Sequence, residues 1–272
     1  MKISCVIVSF NNGDSLRDAI LSVIQQTRPV DEIIVADDAS TDGSRALIDA
    51  FCHNHANIRA IYRESNLGVS TNRDLAILDA GGDLITWLDG DDHYLHSKIE
   101  LELRAVGQRR DVIGYSDVRI EDQRTSRIRE AALTDFALLS VSGRIRWLLS
   151  RKDAPRSMLV PKRVHIAMGG FNRSLRTYED WDYVLRLAAQ PLPWAHSGVE
   201  GTVHHPGGGL SRQSQIEHLR DEFRVLRLNH RIIRRHAGLG TLLSTTGRVV
   251  AVRSKWGIVN AYWHVSRRMT GR

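Results

Sequence analysis

The feature that most constrains this fold is a regular alternation, from Ile3 to Leu88, of short β-rich apolar runs with helical patterns. Ile3–Ser9, Glu32–Ala36, Ile58–Tyr62 and Leu84–Leu88 read as strands, bounded by turn-forming residues. Between them, Leu16, Ala19, Ile20, Val23 and Ile24 recur at helical spacing behind a cap at Asp14 or Ser15. Ala46, Leu47, Ala50 and Phe51 mark a second helix, and Ser70 to Leu78 a third. This order predicts an α/β fold: a mostly parallel, Rossmann-like sheet flanked by helices, which binds ligands outside the carboxyl ends of its strands. Those ends carry Ser9-Phe10-Asn11, Asp37-Asp38 and Asp89-Gly90-Asp91-Asp92, so polar groups should converge on one edge.

Beyond Ile99 the alternation loosens. A helix to about Val106 and a strand near Val112 to Tyr115 are expected, then a mobile charged loop from Arg119 to Glu130. Helical patterns return around Phe136 to Leu149, Asp182 to Ala189 and Glu217 to Arg235. A chain of 272 residues suits one principal domain with a small appendage. The expected division is a catalytic domain over 1–215, with a nucleotide-binding half at about 1–118 and an acceptor half at 119–215, followed by a basic helical extension over 216–272.

Composition excludes several classes. Hydrophobic residues at 42% and charged residues at 25% describe a folded body rather than a disordered chain. Two cysteines make no disulfide framework and point to the cytoplasm. Cys52 and His55 share a helix face, but two ligands do not close a zinc site. Ile3 to Val8 is too short for a signal-peptide core, and no segment approaches a membrane span. The net charge of +7 is uneven: Lys+Arg against Asp+Glu is 25 against 27 over residues 1–199 but 13 against 4 over 200–272. That tail calls for an anionic partner or surface.

Three carboxylates within Asp89-Gly90-Asp91-Asp92 repel one another, and a divalent metal at a nucleotide phosphate is the natural compensation after the apolar run Leu84 to Leu88. An exposed acidic turn is the alternative. At Asp37-Asp38, one carboxylate can accept a base ring N–H while the other caps the next helix. Glu179-Asp180-Trp181-Asp182 puts acids at a helix start, where the macrodipole favours them. Gly169-Gly170-Phe171 upstream offers a flexible approach that lets a carboxylate there face the cleft and take a proton from a hydroxyl. His204-His205-Pro206-Gly207-Gly208-Gly209-Leu210-Ser211-Arg212 combines a metal-competent side chain, a close-fitting loop and a phosphate-binding cation; a glycine-rich turn with incidental histidines accounts for it equally well.

Taken together, Val6-Ile7-Val8-Ser9-Phe10-Asn11-Asn12, Val35 to Gly43, Asn66 to Arg73, Leu88 to Asp92, and Gly169-Gly170-Phe171 with Glu179 to Asp182 resemble the inverting glycosyltransferases of family 2, which share the GT-A fold. The resemblance runs from Lys2 to about Arg212. It implies a nucleotide-sugar donor, UDP by family weight, bound by Ser9, Phe10, Asn11, Asp38, Arg73 and Asp89. Phe10 would stack on the base, Asp38 and Arg73 would reach it, and Asp89 would meet the ribose side. It further implies Mn²⁺ or Mg²⁺ held by Asp91 and Asp92 with His205, and Asp180 as catalytic base, with Glu179 and Trp181 on the acceptor side. The acceptor would be a hydroxyl of a glycan or lipid-linked acceptor. No Gln-x-x-Arg-Trp motif of polymer-building members occurs, so one sugar per encounter is expected.

Residues 219–272 mix arginines with apolar and aromatic side chains, as in Arg231-Ile232-Ile233-Arg234-Arg235 and around Trp256 and Trp263. That suits peripheral contact with an anionic membrane, or a helical cap with a solvated basic face. No nucleic-acid motif is present. A nicotinamide dehydrogenase is excluded by the missing Gly-x-Gly-x-x-Gly, and a sugar-nucleotide pyrophosphorylase by the absence of its glycine-rich basic loop. The remaining rival is an inactive nucleotide-sugar-binding scaffold subunit.

Overall fold

A computed structural model of the chain describes residues 1–122, 125, 127–151, 154–206 and 215–246. The first half follows the alternation. Strands β1 (Ile3–Ser9), β2 (Glu32–Asp37), β3 (Ile58–Tyr62) and β4 (Leu84–Asp89) are separated by helices α1 (Gly13–Ile24), α2 (Ser44–Asn54) and α3 (Val69–Asp79). The first sheet runs β3-β2-β1-β4 in parallel, closed by an antiparallel two-residue strand, β8 (Val160–Pro161).

Strand β1 is buried along its whole length because it pairs on both sides and is covered on both faces. Ile3, Cys5 and Ile7 face one apolar cluster with Leu16, Ile20 and Ile48 of α1 and α2. Val6 and Val8 face the other with Ala76 and Ile77 of α3. Each such aliphatic side chain contributes about 1.5–3 kcal/mol on burial, so a one-residue register slip would exchange two packed faces at once.

The second half builds a second sheet that the sequence pattern did not announce. Its order is β5-β9-β6-β7, from β5 (His93–Tyr94), β6 (Ile113–Asp122), β7 (Arg127–Ala131) and β9 (Trp194–His204). The stretch from Arg119 to Glu130, expected as a loop, supplies most of an antiparallel hairpin in its described residues. Register explains why charge does not prevent it: Arg119 lies opposite Glu130 and Asp122 opposite Arg127, so opposite charges face each other across the strands. Arg119 also donates to Glu200 of β9 through Nε at 2.9 Å.

Helix α4 (Lys98–Val106) follows β5, and a 3₁₀ turn over Thr134–Leu138 precedes α5 (Val141–Arg151). Helices α6 (Lys162–Ala167) and α7 (Glu179–Ala188) flank the Gly169-Gly170 turn. The long helical pattern expected from Glu217 to Arg235 is two helices, α8 (Gln215–Leu228) and α9 (His230–Ala237), broken at Asn229. Val225, Leu226, Ile233 and Ala237 belong to the same apolar cluster as Leu148 of α5 and Val184 of α7, so this described part of the basic extension packs on the body of the protein. The glycine-rich run 207–214 and the tail 247–272 lie outside the described residues.

Candidate functional site

Strand register assembles the site. Ser9 lies level with Asp37 across β1 and β2, and Val8 level with Asp89 across β1 and β4, so the polar loop residues leave the sheet side by side. The Gly90 N–H donates to the Val8 carbonyl at 2.9 Å. A Cβ on Gly90 would stand 2.8 Å from Asn12 Oδ1 and 2.9 Å from that carbonyl, so the acidic turn closes against β1 only with glycine there.

On the nucleotide side, the loops after β1 and β2 are laced together. The Asn11 N–H donates to Ser40 Oγ at 2.9 Å, and Asn11 Oδ1 accepts the Thr41 N–H at 2.8 Å. Phe10 projects from this loop, 48% exposed. Ser9 is buried and its hydroxyl has no partner among the described residues. Asp38 accepts the N–H groups of Leu67 and Gly68, each at 2.8 Å, and so shapes the turn into α3. Each of its oxygens keeps a second lone pair for a ligand N–H.

Arg73 differs from its expectation. Its side chain is 1% exposed and bridges Asp89 of β4 and Glu179 of α7, the latter at 3.0 Å, with the guanidinium 5.0 Å from the centroid of the Phe171 ring. Two carboxylates and an aromatic face compensate its burial, which leaves it a tie between the two halves of the site rather than an arm reaching a base. Burial opposes ionisation of Asp89, but Arg73 and then Arg156 outweigh it and hold that carboxyl below the usual range. Glu179 is pushed up to about 7 by burial and by Asp180, against the pull of Arg73.

At the acidic turn, the three carboxylates have different surroundings. Asp89 is paired with Arg73. Asp92 is buried; both its oxygens lie 3.0 Å from His204 Nδ1, and it accepts the His205 N–H at 2.9 Å. Asp91 is half-buried with no partner side chain among the described residues, and burial together with Asp89 and Asp92 pushes it up to about 6. The two histidines are placed differently. The His205 ring turns away to His93, Nε2 to Nδ1 at 3.3 Å, and it is the His204 ring that meets Asp92. The reason is register: His93 of β5 pairs with Val203 of β9, which sets the next residue, His204, beside Asp92.

No group of three or more His, Cys, Asp or Glu among the described residues forms a closed metal cage. The donor set would suit an ion of another kind: Asp91, an uncommitted, electrostatically crowded carboxylate, would hold it, and phosphate oxygens and waters would complete its shell. Mg²⁺ sites at nucleotides are commonly built in this way.

Facing this turn is the start of α7. The Gly169-Gly170 turn is pinned rather than flexible: Asp74 accepts the Phe171 N–H at 2.8 Å and Arg173 Nε at 2.7 Å, and any Cβ on Gly170 would overlap the Asp74 carboxylate. Phe171 stacks on Tyr183 of α7 at 4.2 Å between centroids. Tyr178, immediately before α7, adopts a left-handed φ of 58°. Asp180 then lies 3.2 Å from Arg156 Nη2 and accepts the Trp181 N–H at 2.7 Å. Trp181, expected on the acceptor side, is 4% exposed and donates its ring N–H to the Leu148 carbonyl at 3.1 Å, so it belongs to the core.

Sequence reasoning missed Arg156 and His204 as site residues. Arg156 stands in no motif; its one signal was a cation two residues before the apolar run Met158-Leu159-Val160. Partial burial works against its charge, but Asp180, Asp92, Asp89 and Glu179 hold it above the ordinary arginine value. The non-glycine residues with left-handed φ are Asn11, Ala39, Ser157 and Tyr178 among the described residues, and each adjoins one of these site loops. Such strain collects where surrounding structure fixes a functional geometry.

Comparison with known proteins agrees with this architecture. Residues 4–177 match the family model described as Glycosyl transferase family 2. A Bacillus subtilis protein whose name assigns it to teichuronic acid biosynthesis as a glycosyltransferase is 33% identical over 107 residues, 39% of this chain and 42% of its own. A cholesterol galactosyltransferase of Borreliella burgdorferi is 32% identical over 113 residues, 41% of this chain and 31% of its own. The matched segments thus span less than half the length of these relatives. The crystal structure of S. aureus TarS 1-349 in complex with UDP-GlcNAc superposes with a TM-score of 0.71 at 17% identity, covering 92% of this chain and 72% of that one. The fold is therefore the GT-A arrangement expected of the sequence. With the family model covering most of the chain and the same fold in TarS, the protein belongs to glycosyl transferase family 2.

Proposed function

We propose that the protein is an inverting, metal-dependent glycosyltransferase that moves one sugar from a nucleoside diphosphate donor, by preference a UDP-sugar, to a hydroxyl of a glycan or lipid-linked acceptor. The observation that carries this reading is the placement of Asp180, at the start of α7, across from the Asp89 to Asp92 turn, with Arg73 joining the two sides through Glu179 and Asp89. The donor lies over the ends of β1, β2 and β4, with its base against Phe10, Ser9 and the Asp38 loop.

Asp91 is the leading ligand for Mn²⁺ or Mg²⁺, and Asp92 orients the site through His204. The ion, when bound, neutralises charge on the diphosphate. Asp180 takes the proton of the acceptor hydroxyl, whose oxygen attacks the anomeric carbon as the bond to the β-phosphate oxygen breaks. This single displacement inverts the anomeric centre. An acceptor lies on the side of α7, where Glu179, half-buried and charge-tied to Arg73, stands next to the base.

The uneven charge supports a second element of the reading: peripheral contact with anionic membrane through the extension over 216–272, which keeps the enzyme on a cytoplasmic membrane face. Arg224, Arg227, Arg231, Arg234 and Arg235 are exposed on α8 and α9, with Leu239 and Leu243 exposed just beyond. No helix of the described residues is long and apolar enough to cross a membrane.

A panel of nucleotide sugars tests the function. We expect one donor to be hydrolysed or transferred only with Mn²⁺ or Mg²⁺ present. Binding of nucleotide without turnover of any donor, across a range of acceptors, would favour the inactive scaffold subunit instead.

A further inference from the structure

Arg156 is held in place by an unusual backbone. The next residue, Ser157, is buried at a left-handed φ of 50°, a costly conformation for a non-glycine residue. Its carbonyl is fixed from two sides, accepting Lys98 Nζ at 2.6 Å and Thr86 Oγ1 at 3.0 Å. Lys98 is itself fully buried, paired with Glu102 at 2.8 Å and lying 4.5 Å from the centroid of the Tyr94 ring. The interior of the protein therefore supports one strained residue whose neighbour carries a guanidinium into the site.

Among the described residues, that guanidinium is the accessible arginine at this centre. Arg73 is 1% exposed and already joined to two carboxylates, whereas Arg156 keeps 36% of its side chain in solvent and has one ion pair among the described residues, with Asp180. Paired with Arg156 at 3.2 Å, Asp180 has a cation occupying the space an acceptor hydroxyl would need. A diphosphate beside it offers the same guanidinium more negative charge and a bidentate geometry.

We propose that Arg156 is a catalytic residue that exchanges Asp180 for the donor diphosphate. In this structure it holds the base; with donor bound, it takes the β-phosphate oxygens and releases Asp180 to the acceptor. As the acceptor oxygen bonds to the anomeric carbon and passes its proton to Asp180, the electron pair of the breaking carbon–oxygen bond goes to the β-phosphate. Arg156 then compensates the charge that gathers there. This inference rests on the reading of the site as a nucleotide-sugar transferase.

Calorimetric titration of UDP and UMP, in saturating Mn²⁺, into wild type, Arg156→Gln, Arg156→Lys, Asp180→Asn and the Asp180→Asn/Arg156→Gln pair tests it. Arg156→Gln is expected to weaken UDP by about 10-fold to 100-fold, the scale of a lost charge-assisted contact, and to leave UMP nearly unchanged. Arg156→Lys should recover part of the loss. Asp180→Asn should tighten UDP in the wild-type background and not in Arg156→Gln. A UDP-to-UMP affinity ratio unchanged in Arg156→Gln, or equal tightening in both backgrounds, would overturn the exchange, as would a rise confined to the acceptor KM. If Arg156→Gln does not fold, the Lys and Asn variants decide the matter. Wild type that binds neither nucleotide nor any other nucleoside diphosphate would remove the transferase reading and this inference with it, whereas normal UDP binding with an unchanged ratio removes this inference alone.

Discussion

Asp91 and Arg73 illustrate how the same charge count produces opposite energetics. Asp91 has a folded pKa of about 6 against an ordinary value of 3.8, because it is crowded by burial, Asp89 and Asp92. Its ionised form therefore costs stability, a cost that appears as pH rises from about 4 to 6 and is complete above 6. Asp91→Asn should raise the stability of the metal-free protein by about 1–2 kcal/mol at pH 7, after solvent screening, and should have no effect below about pH 4. Thermal melts across that range check this. The same substitution should abolish the metal dependence of UDP binding. In wild type, metal affinity should fall as pH drops below about 6, because protons compete for the carboxylate. Arg73 is the reverse case. Arg73→Met leaves Asp89 and Glu179 without their shared cation and should cost about 3–5 kcal/mol in denaturant unfolding. A variant that melts normally but loses nucleotide affinity would instead restore the expectation that Arg73 reaches the base.

At the scale of elements, the first sheet was readable because its strands are short β-rich runs set between amphipathic helices, and β1, β2 and β4 end in polar turns. Ile3–Ser9 and Ile58–Tyr62 occupy the predicted positions to the residue. The second sheet was not readable. Trp194–His204 is interrupted by Gly198 and Gly201, so it carries no alternation, although Gly201 is needed where a Cβ would stand 2.5 Å from the Ser116 side chain. The hairpin β6–β7 is hidden by charge that only cross-strand register explains. The site divides along the same line. The loops after β1, β2 and β4 were visible in sequence, whereas Arg156 and His204 enter through tertiary neighbours, a strained turn and a strand partner. The acidic turn has its own test: Gly90→Ala forces Asn12 or the β1 carbonyl aside, with an expected cost of about 1–3 kcal/mol and a loss of metal-dependent UDP affinity. Calorimetry and thermal melts on one variant read both effects.

On the scale of the whole molecule, the basic extension joins the catalytic body instead of hanging free, at least through Thr246, the last described residue. Asn229, buried at the break between α8 and α9, donates to Asp182 of α7 at 2.7 Å, and Thr177 Oγ1 donates to Asp221 of α8. The segment carrying Asp180 is thereby braced by α8, while the arginines of α8 and α9 point outward. The cap and the membrane readings of the tail are thus compatible, since one face packs and the other stays charged. Co-sedimentation with vesicles of anionic and of zwitterionic phospholipid should show preference for the anionic ones. Replacing Arg231, Arg234 and Arg235 by Gln should reduce it on the order of 100-fold, at about 1 kcal/mol per residue near the surface. Equal binding to both vesicle types, or no effect of the triple substitution, would assign these arginines to solvent.

A donor clamp at the strand ends faces a carboxylate at the start of α7, and Asp180→Asn probes that juxtaposition most directly. Nucleotide binding by calorimetry and sugar turnover with the best donor should be measured on the same preparation. UDP should still bind, in a metal-dependent way, while turnover falls by about 10²-fold to 10⁴-fold, the usual contribution of a general base. Turnover in Asp180→Asn equal to that of wild type would contradict that role.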